Sequence, residues 1–312
     1  RKIKDFILNQ QVDVSVYGVD RRFQNAGQVT SSGWEFKAEY DLIKNDNLTY
    51  ETGLIFYNNK VVLDEFSNEL AQYGFLGSPG QNAVTMVRVR VGDELGQIYG
   101  PVFEGVNPDG SIIFKDVNGD GTLNTDSGNV LQEDYDGEVL GSGYPTLEMS
   151  WSNYLDFGDG WTLNAFFRGA FGHSLINTFR AFYEPNVPSQ TSYNQMNTSL
   201  REPTLGVAQY SSLYVEKADF FLLDNLTLSK QIFFPEGSGI KDITVSLNAL
   251  RPFVLTSYTG TDPAPELVDV EGGGEEGVDA GSDGAALLAP GIDRREDYFQ
   301  SKTFSIGLSV NF

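Results

Sequence analysis

The chain has 312 residues, 40% hydrophobic and 13% aromatic, with 43 acids against 21 bases and a formal net charge of −22. That charge argues against nucleic-acid binding, which needs a cationic surface to neutralise phosphates. Cysteine is absent and His173 is the single histidine, so disulfides, thiolate metal sites and histidine clusters are excluded.

No apolar run reaches the roughly 18 residues of a membrane-spanning helix. A β-barrel stays open, because alternating strands dilute hydrophobicity that a helix would concentrate. The chain opens on Arg1-Lys2-Ile3-Lys4 without signal peptide or initiator Met, and reads as a mature or partial chain. The acids cluster: nine lie between Glu104 and Glu138 and eleven between Asp262 and Asp297, in stretches rich in Gly, Asp and Asn that read as loops.

Residues 1–31 show only a short alternation at Val12, Val14 and Val16, broken by Arg21, Arg22 and a turn at Asn25-Ala26-Gly27. A period-2 pattern then predicts strands at about 32–43, with Trp34, Phe36, Ala38, Tyr40 and Leu42 on one face, and at about 47–57, with Leu48, Tyr50, Thr52, Leu54 and Phe56. The short polar turn between them makes a hairpin. A long excursion follows over about 58–143, with a short strand expected at Thr85–Val91. Strands at about 146–157 and 161–171 flank the tight turn Phe157-Gly158-Asp159-Gly160. A second excursion spans about 172–217. Strands at about 218–234 and 240–250 follow, then a third excursion over about 252–301 and a final strand at 303–312.

In that last strand Phe304, Ile306, Leu308, Val310 and Phe312 share one face, and Ser305, Gly307, Ser309 and Asn311 the other. In the strand at 218–234 the apolar phase slips: Phe221 and Leu223 are out of step with Leu226 and Leu228. A β-bulge at Asp224-Asn225 restores both pairs to one face.

Connections alternate short, long, short, long, short, long. Transmembrane barrels do this, with short periplasmic turns and long extracellular loops, whereas a soluble sandwich has no reason to gather every long loop at one end. The fold class is therefore all-β, an antiparallel transmembrane β-barrel. It places the turns at 43–47, 157–160 and 235–239 and the terminus Phe312 in the periplasm. Seven strands are counted. An eighth at residues 10–19 would give an even number; the alternative is one segment of a larger barrel.

Several motifs carry a family resemblance. Gly92-Asp93-Glu94-Leu95-Gly96-Gln97-Ile98-Tyr99-Gly100, followed by Phe114-Lys115-Asp116-Val117-Asn118-Gly119-Asp120-Gly121, resembles the SusC/RagA family of TonB-dependent outer-membrane transporters. Ala218–Leu228 is similar to that family's Tyr-Leu-Arg-Leu-Lys-Asn-Ile-Thr-Leu pattern. The stretch Leu250–Asp262, with Phe253, Thr256, Tyr258, Gly260 and Asp262, is similar to another family segment, as is Asn25-Ala26-Gly27 leading to Gly33-Trp34-Glu35. The resemblance implies the C-terminal barrel portion of a 22-stranded barrel. It also implies a plug that TonB energises, a SusD-like surface lipoprotein as partner, and import of oligosaccharides or peptides. Neither plug nor TonB box lies in these residues. Ser257 stands where the family often has Lys, and the acidic Gly-rich insert Glu271–Asp283 has no family counterpart. A non-transporting structural or adhesive barrel, whose loops bind a partner, is the alternative.

Three features bear on chemistry. Asp116, Asn118 and Asp120, followed by Gly121, match the first half of a calcium loop, with Thr122 and Asn124 as further oxygen donors. The second half fails, because Ser127 stands where a bidentate Glu belongs, and a self-bonded Asx turn is the other reading. Phe179, Phe182, Tyr183 and Tyr193 are candidate substrate-stacking residues, against packing within the loop. His173 has no nucleophile motif near it, and the pairs Glu133-Asp134 and Glu275-Glu276 read as solvated surface. No catalytic constellation is present, so the reading is not an enzyme.

Overall fold

A computed structural model describes residues 1–11, 14–19, 21–67, 70–78, 81–126, 132–186, 195–206, 209–264, 290–295 and 299–312. In chain order the strands are β1 (Lys2–Gln11), β2 (Arg21–Asn45), β3 (Leu48–Phe66), β4 (Leu70–Ser78), β5 (Gln81–Arg90), β6 (Gln97–Gly100), β7 (Phe103–Val106), β8 (Ile112–Phe114) and β9 (Glu138–Ser142). They continue with β10 (Leu147–Asp156), β11 (Trp161–Phe171), β12 (Ser174–Asn177), β13 (Val215–Lys217), β14 (Phe220–Phe233), β15 (Asp242–Thr256), β16 (Ile292–Asp293) and β17 (Thr303–Asn311). A six-residue helix, Thr178–Tyr183, follows β12.

Eight of these strands form one sheet in the order β1-β2-β3-β10-β11-β14-β15-β17, antiparallel at every pairing. Each strand pairs with the next wall strand along the chain, the meander of a barrel wall. Short turns join it at one end. Asn45 Oδ1 accepts the N–H groups of Asn47 and Leu48, each at 3.0 Å. At the next turn Asp156 Oδ1 accepts Gly158 N at 2.8 Å. Gly160 there has a φ of 78°, and any Cβ on it would overlap the carbonyl of Gln231.

Three expectations change. The eighth strand is Lys2–Gln11, not residues 10–19; Val14–Tyr17 is a helical turn. Three alternating valines are too short a pattern to hold a strand, whereas Ile3 and Phe6 reach Val29 and Gly27 across the β1–β2 ladder. Secondly, Asn25-Ala26-Gly27 is strand and no turn. The β2–β3 hairpin runs on to the pair Gly27↔Phe66, so the first excursion leaves β3 after Phe66 and not at residue 58. The extension is held by a core of Ala26, Val29 and Leu63 with Val89 and Leu95 from the excursion itself. Thirdly, the excursions are folded. They carry a four-stranded sheet, β4-β5-β6-β9, the hairpin β7-β8 and a three-stranded sheet, β13-β12-β16.

The bulge lies where the phase slip requires it. Against β11, Phe166 pairs with Asn225 and Phe167 with Leu223, which leaves Asp224 as the extra residue. Its carboxylate takes a two-pronged bond from Arg168, at 3.0 Å from Nε and 2.9 Å from the terminal nitrogen.

Candidate functional site: a two-faced wall and its loop cap

Register carries each apolar position onto the same face as its neighbour. Phe36, Phe56, Met149, Gly169, Phe221 and Leu255 form one row across six strands. Nearer the short turns, Tyr50, Leu155, Leu163, Leu228, Leu247 and Ile306 form another. Between them the Phe167 ring stacks on Trp151 and Phe221, with centroids 4.9 and 5.4 Å away. Phe304, Ile306 and Leu308 are at least 70% exposed; in water such a surface would be a liability, and in lipid it is the solvated state. Several polar groups on this face bond to one another, which lowers the cost of placing them in an apolar solvent. Tyr50 OH donates to Asn153 Oδ1 at 2.8 Å, and Trp151 Nε1 to Thr52 Oγ1 at 2.9 Å.

The opposite face is polar. One of its rows reads Asp41, Glu51, Tyr154, Asn164, Thr227, Asn248 and Ser305. Its charges are partly matched: Lys37 pairs with Glu39 at 2.8 Å, Lys44 with Asp41 at 3.1 Å, and Arg168 with Asp224.

At the end away from the short turns the three excursions share one hydrophobic core. Leu76, Val84, Met86, Val87 and Ile98 come from the first, Ile176, Ala181, Leu205, Tyr210 and Tyr214 from the second, and Ile292 from the third. Burial of these side chains, at about 1.5–3 kcal/mol for each large one, makes the excursions a cap and not separate loops.

Charged groups then knot the cap. Arg180, on the short helix, is buried against Glu184 and Glu216, each 2.9 Å away, and donates to the carbonyls of Leu213 and Leu200 at 3.0 and 3.2 Å. Burial works against its charge, and the two carboxylates outweigh it and raise its pKa. Glu216 also accepts Thr259 N at 3.0 Å and Asn177 Nδ2 at 3.1 Å. The fully buried Asp293 accepts Tyr258 OH at 2.6 Å, Thr261 N at 2.8 Å and the Thr261 hydroxyl. Burial raises the Asp293 carboxyl above its ordinary range, against the pull of those donors, and burial first, then Asp293, raises the Tyr258 phenol.

The sequence-derived candidates fall into two places. In the loop of Asp116, Asn118, Asp120, Thr122 and Asn124 the carboxylates turn onto the loop's own backbone. Asp116 accepts Gly119 N at 2.6 Å and Gly121 N at 2.9 Å, and Asp120 accepts Thr122 N at 2.7 Å. These bonds depress the Asp120 pKa, the Thr122 hydroxyl most. The buried Asp136 closes the loop by accepting the N–H groups of Val117, Asn118 and Asn124. Among the described residues no three His, Cys, Asp or Glu converge as metal ligands would.

Phe179, Phe182 and Tyr183 sit on the short helix. Phe182 is buried beneath the Arg295 guanidinium, 3.7 Å from its ring centre, so it presents no face to a ligand. Phe179 and Tyr183 are 5.9 Å apart, and Phe299, 73% exposed and 6.0 Å from Phe179, completes a surface ring cluster. Tyr193, Glu275-Glu276 and the insert Glu271–Asp283 lie outside the described residues. His173 is buried, its Nε2 2.9 Å from the carbonyl of Pro263.

No family model matches the chain. TonB-dependent receptor P3 of Formosa agariphila is 24% identical over 270 residues, covering 79% of this chain and 26% of the receptor. TonB-dependent receptor P26 of the same organism is 23% identical over 350 residues, covering all of this chain and 32% of the receptor. The solved RagAB peptide transporter superposes over the whole chain and 32% of its own, with a TM-score of 0.70 at 18% identity. The chain is thus similar in sequence to TonB-dependent receptors and shares the fold of part of the RagAB transporter. It spans about a third or less of the length of the relatives it matches, and its wall has the fold of one arc of a larger β-barrel. The relatives carry the names of receptors and transporters.

Sequence reasoning gave no role to Arg180, Glu184, Glu216, Tyr258 and Asp293, which hold the cap together. Only the i,i+4 spacing of Arg180 and Glu184 was a local signal. It also missed Phe299, whose ring neighbour Phe179 lies across a long connection.

Proposed function

We propose that this chain supplies part of the wall and the outer vestibule of a TonB-dependent importer of oligosaccharides or peptides. The short turns and Phe312 face the periplasm, and the cap faces outward. A SusD-like surface lipoprotein covers the cap, and TonB acts through a plug domain distinct from the wall and cap described here. The polar wall face lines the path, and the ring cluster of Phe179, Tyr183 and Phe299 meets the ligand at its entrance. The observation that carries this reading is the two-faced wall with every folded connection at one end, supported by the names of the relatives. No covalent chemistry is needed; the mechanism is gated passage.

The test is uptake by cells whose intact transporter gene lacks the codons for these 312 residues. Ligand accumulation should fall to the level of a strain without the gene, and in the intact strain it should stop when the proton-motive force is collapsed. Uptake that survives the deletion overturns the assignment. Surface binding that persists without any energised uptake favours the adhesive barrel.

A further inference from the structure

We infer that Pro290–Asp293 is a strap coupling the three excursions, so that displacement of the third is transmitted to the first two. This goes beyond the transport reading and does not rest on it. Toward the second excursion the strap is held by a ladder. Ile292 and Asp293 pair in parallel with Ile176 and Asn177, the Gly291 carbonyl accepts Ile176 N at 2.8 Å, and Thr178 Oγ1 donates to the Asp293 carbonyl at 2.5 Å.

Toward the first excursion it is held by close backbone approach. A Cβ on Gly143 would overlap the Pro290 carbonyl, and one on Gly96 would lie 3.0 Å from the Pro290 ring. Gly291, with a φ of 90°, returns the contact: a Cβ there would lie 2.8 Å from Gly143 Cα and 3.2 Å from Ile98 Cδ1. Within the third excursion the Asp293 carboxylate gathers Tyr258 and Thr261, residues that leave the wall just after β15. Ile292 meanwhile belongs to the core that the other two excursions build.

Four consecutive residues thus touch all three excursions, each by a different kind of contact. A packed interior does not deform smoothly, so a strap that shifts must release its ladder, its glycine contacts and its carboxylate knot together. The three glycines are part of the device, because each permits an approach that a side chain would block.

Hydrogen exchange of the full transporter tests this. Gly143→Ala places a methyl group where the Pro290 carbonyl sits, and should unseat the strap from the side of the first excursion. The amides of Ile176 and Thr261, whose acceptors are Gly291 and Asp293, should then exchange on the order of tenfold faster, while the wall amides of Leu163 and Leu228 keep their protection. Thr178→Val unseats the strap from the opposite side with almost no change of shape. It should speed exchange at Thr261 and at Gly143, whose N–H bonds to the Gly96 carbonyl. Acceleration confined to the neighbours of the substituted residue overturns the coupling, as does equal acceleration in the wall. If Gly143→Ala does not assemble, Thr178→Val decides alone, and unchanged exchange at Gly143 in that variant refutes the inference.

Discussion

Replacing Arg180 with Met tests what holds the cap together. The guanidinium is 4% exposed and its partners Glu184 and Glu216 are 2% and 12% exposed, so removing the cation strands two carboxylates in a nearly dry site. Breaking a buried pair from one side costs about 3–5 kcal/mol. The carbonyls of Leu213 and Leu200 lose their Arg180 donor as well. Partial compensation comes from Thr198, which donates to Glu184, and from Asn177 and Thr259, which donate to Glu216. The cost should therefore fall near 3 kcal/mol, or roughly two decades in the opening equilibrium of the cap. Native-state hydrogen exchange reads this at cap amides such as Tyr214, with Leu228 in the wall as the internal reference. Arg180→Lys keeps the charge but loses the planar fork, and should cost about 1–2 kcal/mol. Arg180→Met together with Glu184→Leu should recover part of the loss, because one stranded charge goes. A change below about 1 kcal/mol for Arg180→Met, or equal acceleration at Leu228, would refute the reasoning.

Two further expectations concern the carboxylates. Because burial lifts the Asp293 carboxyl, the closed cap holds that proton more tightly than an opened one. Its contribution is present at low pH and is lost as pH rises through the elevated value, so Asp293→Asn should flatten the pH dependence of cap opening measured between about pH 4 and pH 8. Asp116→Ala removes the acceptor for two loop N–H groups and should destabilise that turn by about 1–2 kcal/mol, read as faster exchange at Gly119 and Gly121. The self-bonded turn predicts that calcium titration calorimetry on the intact protein gives no heat that Asp116→Ala removes; the calcium reading predicts such heat.

The wall was legible because lipid on one face and water on the other impose strict alternation, and Trp34–Leu42 and Thr303–Phe312 display it without interruption. Even the bulge at Asp224 could be read, since a one-residue slip moves Leu226 and Leu228 to the other face unless an extra residue intervenes. The cap was opaque for the opposite reason. Met86 and Val87 are buried at successive positions, so the alternation that marks a short strand at Thr85–Val91 does not carry back through the rest of β5. Its knots join residues far apart in sequence, Arg180 to Glu216 across 36 positions and Tyr258 to Asp293 across 35, and no local spacing announces them. The eighth strand was misplaced because the edge strand β1 carries an irregular register around Phe6, with Asp5 at a φ of 55°. Of the candidate stacking residues, Phe182 could not be told from Phe179 by type. Only packing shows that Arg295 covers the one and solvent reaches the other's neighbour, Phe299.

Which face of the wall meets lipid is directly measurable, because these 312 residues hold no cysteine and any elsewhere in the transporter can be replaced. Single cysteines at Leu226, Thr227, Leu228 and Ser229, and at Ser305, Ile306, Gly307 and Leu308, can carry a fluorophore in the transporter reconstituted with brominated lipid. A wall with its apolar face in lipid gives quenching at Leu226, Leu228, Ile306 and Leu308 and little at Thr227, Ser229, Ser305 and Gly307. Quenching without that alternation, or with the two sets exchanged, would contradict that orientation.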